Sequence, residues 1–255
     1  MPAPEPDDLP EPPAAATDLR ARLVYVLGQV GVVVAGIFVY FRVRGLTEGS
    51  VDQAQDHARE IMRFEQVIGL DHESALQGLV ITSGALETAA NWVYIWGHWP
   101  VIVATMSWLV VAHRREFARL RDAMIVSGAL GMAIFASYPV APPRLAGLGF
   151  VDTVSNRSES YRVLQPPAFV NQYAAMPSLH AGWDLLVGMA IVSAASCLAL
   201  KVVGVVMPAL MALAVVATAN HFIVDVVAGT ALVLAGHAVA LWLERRRERP
   251  RVAAP

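Results

Sequence analysis

Two stretches of the sequence hold residues able to do chemistry together. The first is Tyr173-Ala174-Ala175-Met176-Pro177-Ser178-Leu179-His180, and the second is Asn220-His221-Phe222-Ile223-Val224-Asp225. Histidine acts as a nucleophile when one ring nitrogen faces the electrophile and an acceptor holds the other. Asp225 stands four residues after His221, one helical turn, and so shares a face with it. His180 offers a second imidazole, able to protonate a leaving oxygen and then deprotonate an incoming one. A phosphoryl electrophile also needs cationic donors, and arginine is the best fork for phosphate oxygens. Arg144, in Ala141-Pro142-Pro143-Arg144, is the strongest candidate because the prolines stiffen its backbone. Arg157 and Arg162 lie in the same segment. Asp184, one turn beyond His180, is a candidate for lining a substrate cavity, together with Asn220 and Tyr173.

Each feature also has a plainer explanation. A histidine at a helix start is often only an interfacial polar residue, and a His–Asp pair one turn apart is often structural. Ionisable residues at the ends of apolar spans are nevertheless costly in lipid and tend to be functional. Here three such features fall on one side, in one order.

A membrane fold has to position these residues. Hydrophobic residues make up 56% of the 255 and charged residues 16%, against about 25% charged in a soluble domain. Mean hydropathy is +0.51. Crossing a bilayer takes roughly 20 helical residues, and apolar runs of that order recur along the chain. The expected class is all-α, a polytopic transmembrane helix bundle of about six spans. They are read at 22–41, 92–112, 123–138, 180–200, 202–219 and 221–243. Between the first two, apolar and charged residues mix at helical spacing from Val51 to Leu70, as in a surface amphipathic helix. Residues 74–90 are apolar but carry Glu87; they form either a seventh span or a helix in the interface. Residues 1–20, rich in Pro, Ala, Asp and Glu, are expected to be a disordered acidic tail, with no basic region of a secretory signal. Residues 21–244 form the membrane domain, with a motif core at about 91–243, and 245–255 a basic cytoplasmic tail. His180 and His221 each begin a span in this scheme, so the topology brings them to one surface.

The positive-inside rule orients the bundle. Arg114, Arg115, Arg119 and Arg121 mark one cytoplasmic segment, and Arg245, Arg246, Arg247, Arg249 and Arg251 mark another. Lys201 marks a third. The 139–177 segment and the turn before His221 then face the extracytoplasmic side of the cell membrane. Six spans leave the N-terminus cytoplasmic, which suits Arg20 and Arg22 but puts Arg42 and Arg44 outside, against the rule. A seventh span reverses the N-terminus alone.

At these residues the chain resembles the type 2 phosphatidic acid phosphatase superfamily. Pro177-Ser178-Leu179-His180 is similar to that family's Pro-Ser-Gly-His motif, with Leu179 in place of Gly. His221 to Asp225 matches the end of its third motif, His-x-x-x-Asp, and Arg144 stands for the arginine of the first. Two departures are plain: no Lys precedes Arg144, and Ala214 and Val215 stand where the third motif has Ser and Arg. This reduced set, with Asn220-His221-Phe222 and Ala141-Pro142-Pro143-Arg144, looks like the branch that contains fungal inositol phosphorylceramide synthase and its bacterial relatives. The resemblance covers roughly 91–243. It implies that His221 attacks phosphorus to give a phosphohistidine, that Asp225 orients it, and that His180 protonates the departing alcohol. It implies that Arg144 and the backbone near Ser178 hold phosphate oxygens, helped by the helix N-terminus at His180. The substrate would be a lipid phosphate or phospholipid drawn from the surrounding membrane lipids, with no cofactor and no metal.

Two other classes fit parts of the sequence. A transporter or channel would use Asp184, Glu87 and His237, although no internal repeat or paired broken helices stand out, as they do in many transporters. A non-catalytic membrane scaffold would have little reason to keep His180, His221 and Asp225 together. A net charge of −2 sets up no field for nucleic acid. The single cysteine, Cys197, allows no internal disulfide. Phosphatase and phosphotransferase share one intermediate, and both stay open.

Overall fold

A computed structural model describes residues 14–44, 50–157 and 171–248. The regular elements among them are helices: α1 Ala14–Arg44, α2 Val51–Ile68, α3 Glu73–Ile81, α4 Gly84–Trp96, α5 Trp99–Ala112 and α6 Arg114–Ser137. A 3₁₀ turn at Pro143–Leu145 and a short α7, Thr153–Arg157, follow. Then come α8 Leu179–Ala194, α9 Leu198–Ala217 and α10 Ile223–Glu248. Extended chain pairs at an isolated bridge between Val140 and Ala174.

By length and apolarity α1, α6, α9 and α10 can each cross a bilayer. The expected span at 92–112 is broken: α4 begins earlier, at Gly84, and meets α5 at a 42° bend. Taken as one unit, α4 and α5 are a fifth span. The expected span at 180–200 stops at Ala194, and its 16 residues rise only about 24 Å, short of about 30 Å of hydrocarbon. By length and composition four or five spans are found among the described residues, with α8 a further, shorter apolar helix. The shortness of α8 has a physical reason. It packs against α5, α6, α9 and α10 and buries Leu186, Val187 and Ile191, so protein rather than lipid sets its environment.

The segment after α1 is helical, as expected. Residues 74–90 divide between α3 and the start of α4. Helix α2 is amphipathic, but its buried stripe of Ala54, Ala58, Ile61 and Glu65 faces protein. It packs on Val140, Ala141, Ala146, Ala175 and Phe222. The Ala141 N–H donates to the Ala54 carbonyl (3.0 Å), and Gln55 Nε2 donates to the Leu145 carbonyl (3.0 Å). At the other end of the chain's expected anatomy, residues 14–20 already belong to α1; the rest of the acidic tail, Arg162, and residues 249–255 of the basic tail lie outside the described residues.

Without a hydrophobic force between helices in lipid, backbone approach at small residues does the packing. A Cβ added at Gly188 of α8 would sit 2.2 Å from the Gly204 carbonyl oxygen of α9, so those backbones touch. The Trp183 indole N–H donates to Ser127 Oγ (3.2 Å), joining α8 to α6. Helices α6 and α10 run antiparallel. At one end Arg115 and Arg119 hold Glu244, and Arg121 and Arg247 hold Asp122. The two arginine clusters thus share one end of the bundle. His180, His221 and Arg144 are carried at the other.

Candidate active site

His221 is positioned by a strained turn followed by a capped helix. Helix α9 ends in a left-handed residue, Ala219 (φ 55°), and the N–H groups of Asn220 and His221 both return to the Val215 carbonyl (2.9 and 3.0 Å). That conformation favours glycine and costs an alanine roughly 1–2 kcal/mol. The strain lies where the chain turns Asn220 and His221 into the site. His221 therefore precedes α10 instead of opening it, and the first N–H groups of α10 have no partner inside the helix. Three carboxylates take them. Asp225 Oδ2 accepts from Phe222 N (2.8 Å), Glu73 Oε1 from Ile223 N (2.9 Å) and Glu65 Oε1 from Val224 N (2.7 Å).

All three carboxylates are fully buried. Burial, with the neighbouring Glu73 and Asp225, pushes the Glu65 carboxyl from 4.5 up to about 8, against the pull of the Val224 N–H. The folded chain thus keeps a proton that the unfolded chain releases, so this group's stabilising contribution falls as pH rises from 4.5 to about 8. Glu65→Gln keeps an acceptor for Val224 N and removes the titration. Its melting temperature in detergent should lose part of the wild-type decline across that window; an unchanged decline would place the titrating group elsewhere. Glu65 and Glu73 were not expected at the site. The signal was present in the sequence, because Glu65 continues the 54, 58, 61 stripe of α2 and so must be buried.

His221 has a second, nearer acceptor beside the expected Asp225. Its Nδ1 is 2.8 Å from the Ala175 carbonyl oxygen and 3.5 Å from Asp225 Oδ2. Asp225 is committed first to Phe222 N, because His221 lies before the helix and its ring reaches back to the 173–176 segment. Two acceptors at Nδ1 place the proton there, and Nε2 is left with its lone pair.

Ser178 is the N-cap of α8. Its Oγ accepts from Ala181 N (3.4 Å), and its N–H donates to the Asp225 carbonyl (2.9 Å). That N–H is spent on α10, so Ser178 fixes the entry of α8 rather than offering its own N–H to a phosphate. The close approach requires Gly229: a Cβ there would fall 2.2 Å from the Ser178 carbonyl oxygen. The result places His180, at the start of α8, with its ring centroid 6.0 Å from that of His221.

Arg144 sits at the same turn. Its N–H donates to the Ala219 carbonyl (3.0 Å). Its side chain, 9% exposed, donates from Nε to Asn220 Oδ1 (2.9 Å) and from Nη1 to Asp152 Oδ2 (3.0 Å). Nη2 makes no hydrogen bond among the described residues. Asn220 Nδ2 in turn donates to Thr218 Oγ1 (2.8 Å), so Asn220 aims the guanidinium. Sequence order thus becomes one locus: Arg144, Asn220, His221 and His180.

The profile of the PAP2 superfamily matches residues 59–239. The chain belongs to the PAP2 superfamily. The match begins inside α2, well before the expected motif core, and so takes in Glu65 and Glu73. No curated protein and no solved structure is significantly similar to the chain. Membership of this superfamily carries a lipid phosphatase or phosphotransferase type of function, exercised in a membrane.

The remaining expected residues of this PAP2 protein fall into two groups. Tyr173 is partly buried and packs with Met176 and the cluster around Phe222, while its carbonyl accepts from Val140 N (2.7 Å). It supports the segment that carries Ala175. Asp184 pairs with His98, a residue outside the expected set. Its Oδ1 is 2.7 Å from His98 Nδ1. His98 sits in the break between α4 and α5, and an ionisable residue beside Gly97 within an apolar run was the available clue. Of the polar residues a transport pathway would use, Glu87 is buried on α4, and His237 lines a separate cavity with Arg119 and Ser193.

Proposed function

We propose that this PAP2-superfamily protein transfers a phosphoryl-containing group from a membrane lipid through a phosphohistidine at His221. The carrying observation is the His221 ring, with Nδ1 held by the Ala175 carbonyl, its centre 6.0 Å from that of His180, and its neighbour Asn220 bonded to Arg144. Nε2 attacks phosphorus, and the P–O bond to the lipid alcohol breaks. The His180 imidazolium gives that oxygen its proton. Asp225 steadies the positive charge on His221. Arg144 Nη2 and the N-terminus of α8 receive the non-bridging oxygens. His180, now neutral, takes a proton from the incoming hydroxyl, which attacks phosphorus, and the N–P bond breaks.

One feature favours transfer to a hydroxyl over hydrolysis of a phosphomonoester. A monoester carries about −1.5 to −2 charges at neutral pH, a diester only one. A site with Arg144 and no family lysine or second motif arginine matches the smaller charge. This agrees with the resemblance to the inositol phosphorylceramide synthase branch. Purified protein, given lipid phosphates and phospholipids with an alcohol acceptor, should form a new phosphodiester faster than free phosphate. Formation of neither product would sink the proposal.

In this proposal the reaction runs on the extracytoplasmic side; the arginine clusters at the opposite end of α6 and α10 support this through the positive-inside rule. In a Cys197→Ser background, an impermeant thiol reagent should label a cysteine at 156 in intact cells and spare one at 247. The reverse pattern would invert the orientation.

A further inference from the structure

The break between α4 and α5 interrupts the hydrogen-bond ladder of an apolar span. At membrane depth such a break persists only where protein surrounds it, so the feature asks for a purpose. It turns His98 inward. His98 and Asp184 are 3% and 4% exposed, and they meet at 2.7 Å. Asp184 Oδ2 has no other partner among the described residues.

The pair stands directly behind His180. The His98 and His180 rings are 4.4 Å apart, centre to centre, and Tyr94 stacks on His180 at 4.9 Å. Tyr94 and His98 are four residues apart across the break; His180 and Asp184 are four apart on α8. The two elements therefore interlock: α4 and the break after it supply one ring each against His180, and α8 supplies the carboxylate that holds one of them. Trp99 and Trp183, 5.2 and 6.3 Å from the His98 ring, wall the pair with apolar surface.

We infer that His98 and Asp184 form a second histidine–carboxylate pair whose task is to position His180 as the general acid; the inference rests on the role proposed above for His180. A carboxylate can only accept, so Asp184 fixes the proton of His98 on Nδ1 and with it the ring's orientation. A fixed His98 ring, with Tyr94, leaves the His180 ring one orientation, with its proton aimed at the leaving oxygen. The rings around His180 are then Tyr94 from α4, His98 from the break and His221 ahead of α10, with Asp184 of α8 holding His98. His98 itself does not touch substrate.

General acid catalysis matters most when the leaving group is poor. An alkyl alcohol leaving from a lipid needs the proton; a nitrophenolate does not. Asp184→Asn keeps the size and a hydrogen bond to His98 but also offers a donor, so it frees the tautomer. Its kcat/KM should fall about 10- to 100-fold on a lipid donor with an alkyl leaving group, and stay within about twofold of wild type on a nitrophenyl ester of the same phosphoryl group. The double variant His98→Phe, Asp184→Asn keeps a ring against His180 and leaves no buried charge unpaired; it should show the same selectivity. Equal losses on both donors would mark a purely structural pair and overturn the inference, as would wild-type values on both. His180→Asn supplies the reference. If it shows the leaving-group selectivity and the Asp184 and double variants do not, the pair has no positioning role. If His180→Asn lacks the selectivity, the general-acid assignment fails first and the inference falls with it.

Discussion

His221→Ala should lower turnover by at least about 10³-fold, with the protein still folded. A nucleophile that forms the covalent intermediate has no substitute in its site, and removal of such a group typically costs several orders of magnitude. The fold does not depend on the imidazole. The turn that carries it is held by main-chain bonds to Val215, and α10 is capped by Asp225, Glu73 and Glu65 through backbone N–H groups. The melting temperature should therefore change little. Asp225→Asn is expected to keep measurable activity, because the Ala175 carbonyl is the nearer acceptor at Nδ1. Turnover is followed with a lipid donor in detergent or vesicles, and melting in the same preparation. Near-normal turnover in His221→Ala would remove it from the reaction.

Arg144→Lys should cost about 10²-fold in kcat/KM, raising KM and lowering kcat together. The guanidinium has separate tasks for its nitrogens. Nε engages Asn220 and Nη1 engages Asp152, which leaves Nη2 for the substrate. An ammonium retains the charge, but its compact head cannot reach both protein acceptors in that geometry and still present a donor. Asp152→Asn serves as the control, since it loosens one anchor while keeping the fork, and should cost less. Kinetics of Arg144→Lys close to wild type would reduce Arg144 to a strut between the 139–152 segment and the turn at Ala219.

Much of this was legible in the sequence because it depends on local spacing. The apolar runs gave the helical membrane fold. The His221–Asp225 interval placed both residues at one helix start, and Pro142-Pro143 marked the turn that carries Arg144. Less legible was anything set by packing between distant segments. The Ala175 carbonyl reaches His221 because of tertiary approach alone, and no side-chain pattern announces a backbone acceptor. The span at 92–112 looked continuous because hydropathy averages across a break of two residues. The amphipathic stripe of α2 is legible, but not what it packs on, because the pattern is the same whether the apolar side meets lipid or protein. His98 was hidden by the same averaging, as one imidazole in an apolar run.

The covalent intermediate is the claim on which the rest turns. A phospholipid donor, radiolabelled in its headgroup phosphate, is mixed with detergent-purified protein and quenched at alkaline pH over milliseconds to seconds. The protein is then digested and the labelled peptide sequenced. The expected result is an acid-labile, base-stable adduct on the peptide containing His221, formed as fast as the lipid alcohol is released and absent from His221→Ala. The same adduct in His221→Ala, or product formation with no labelled protein at any quench time, would contradict it.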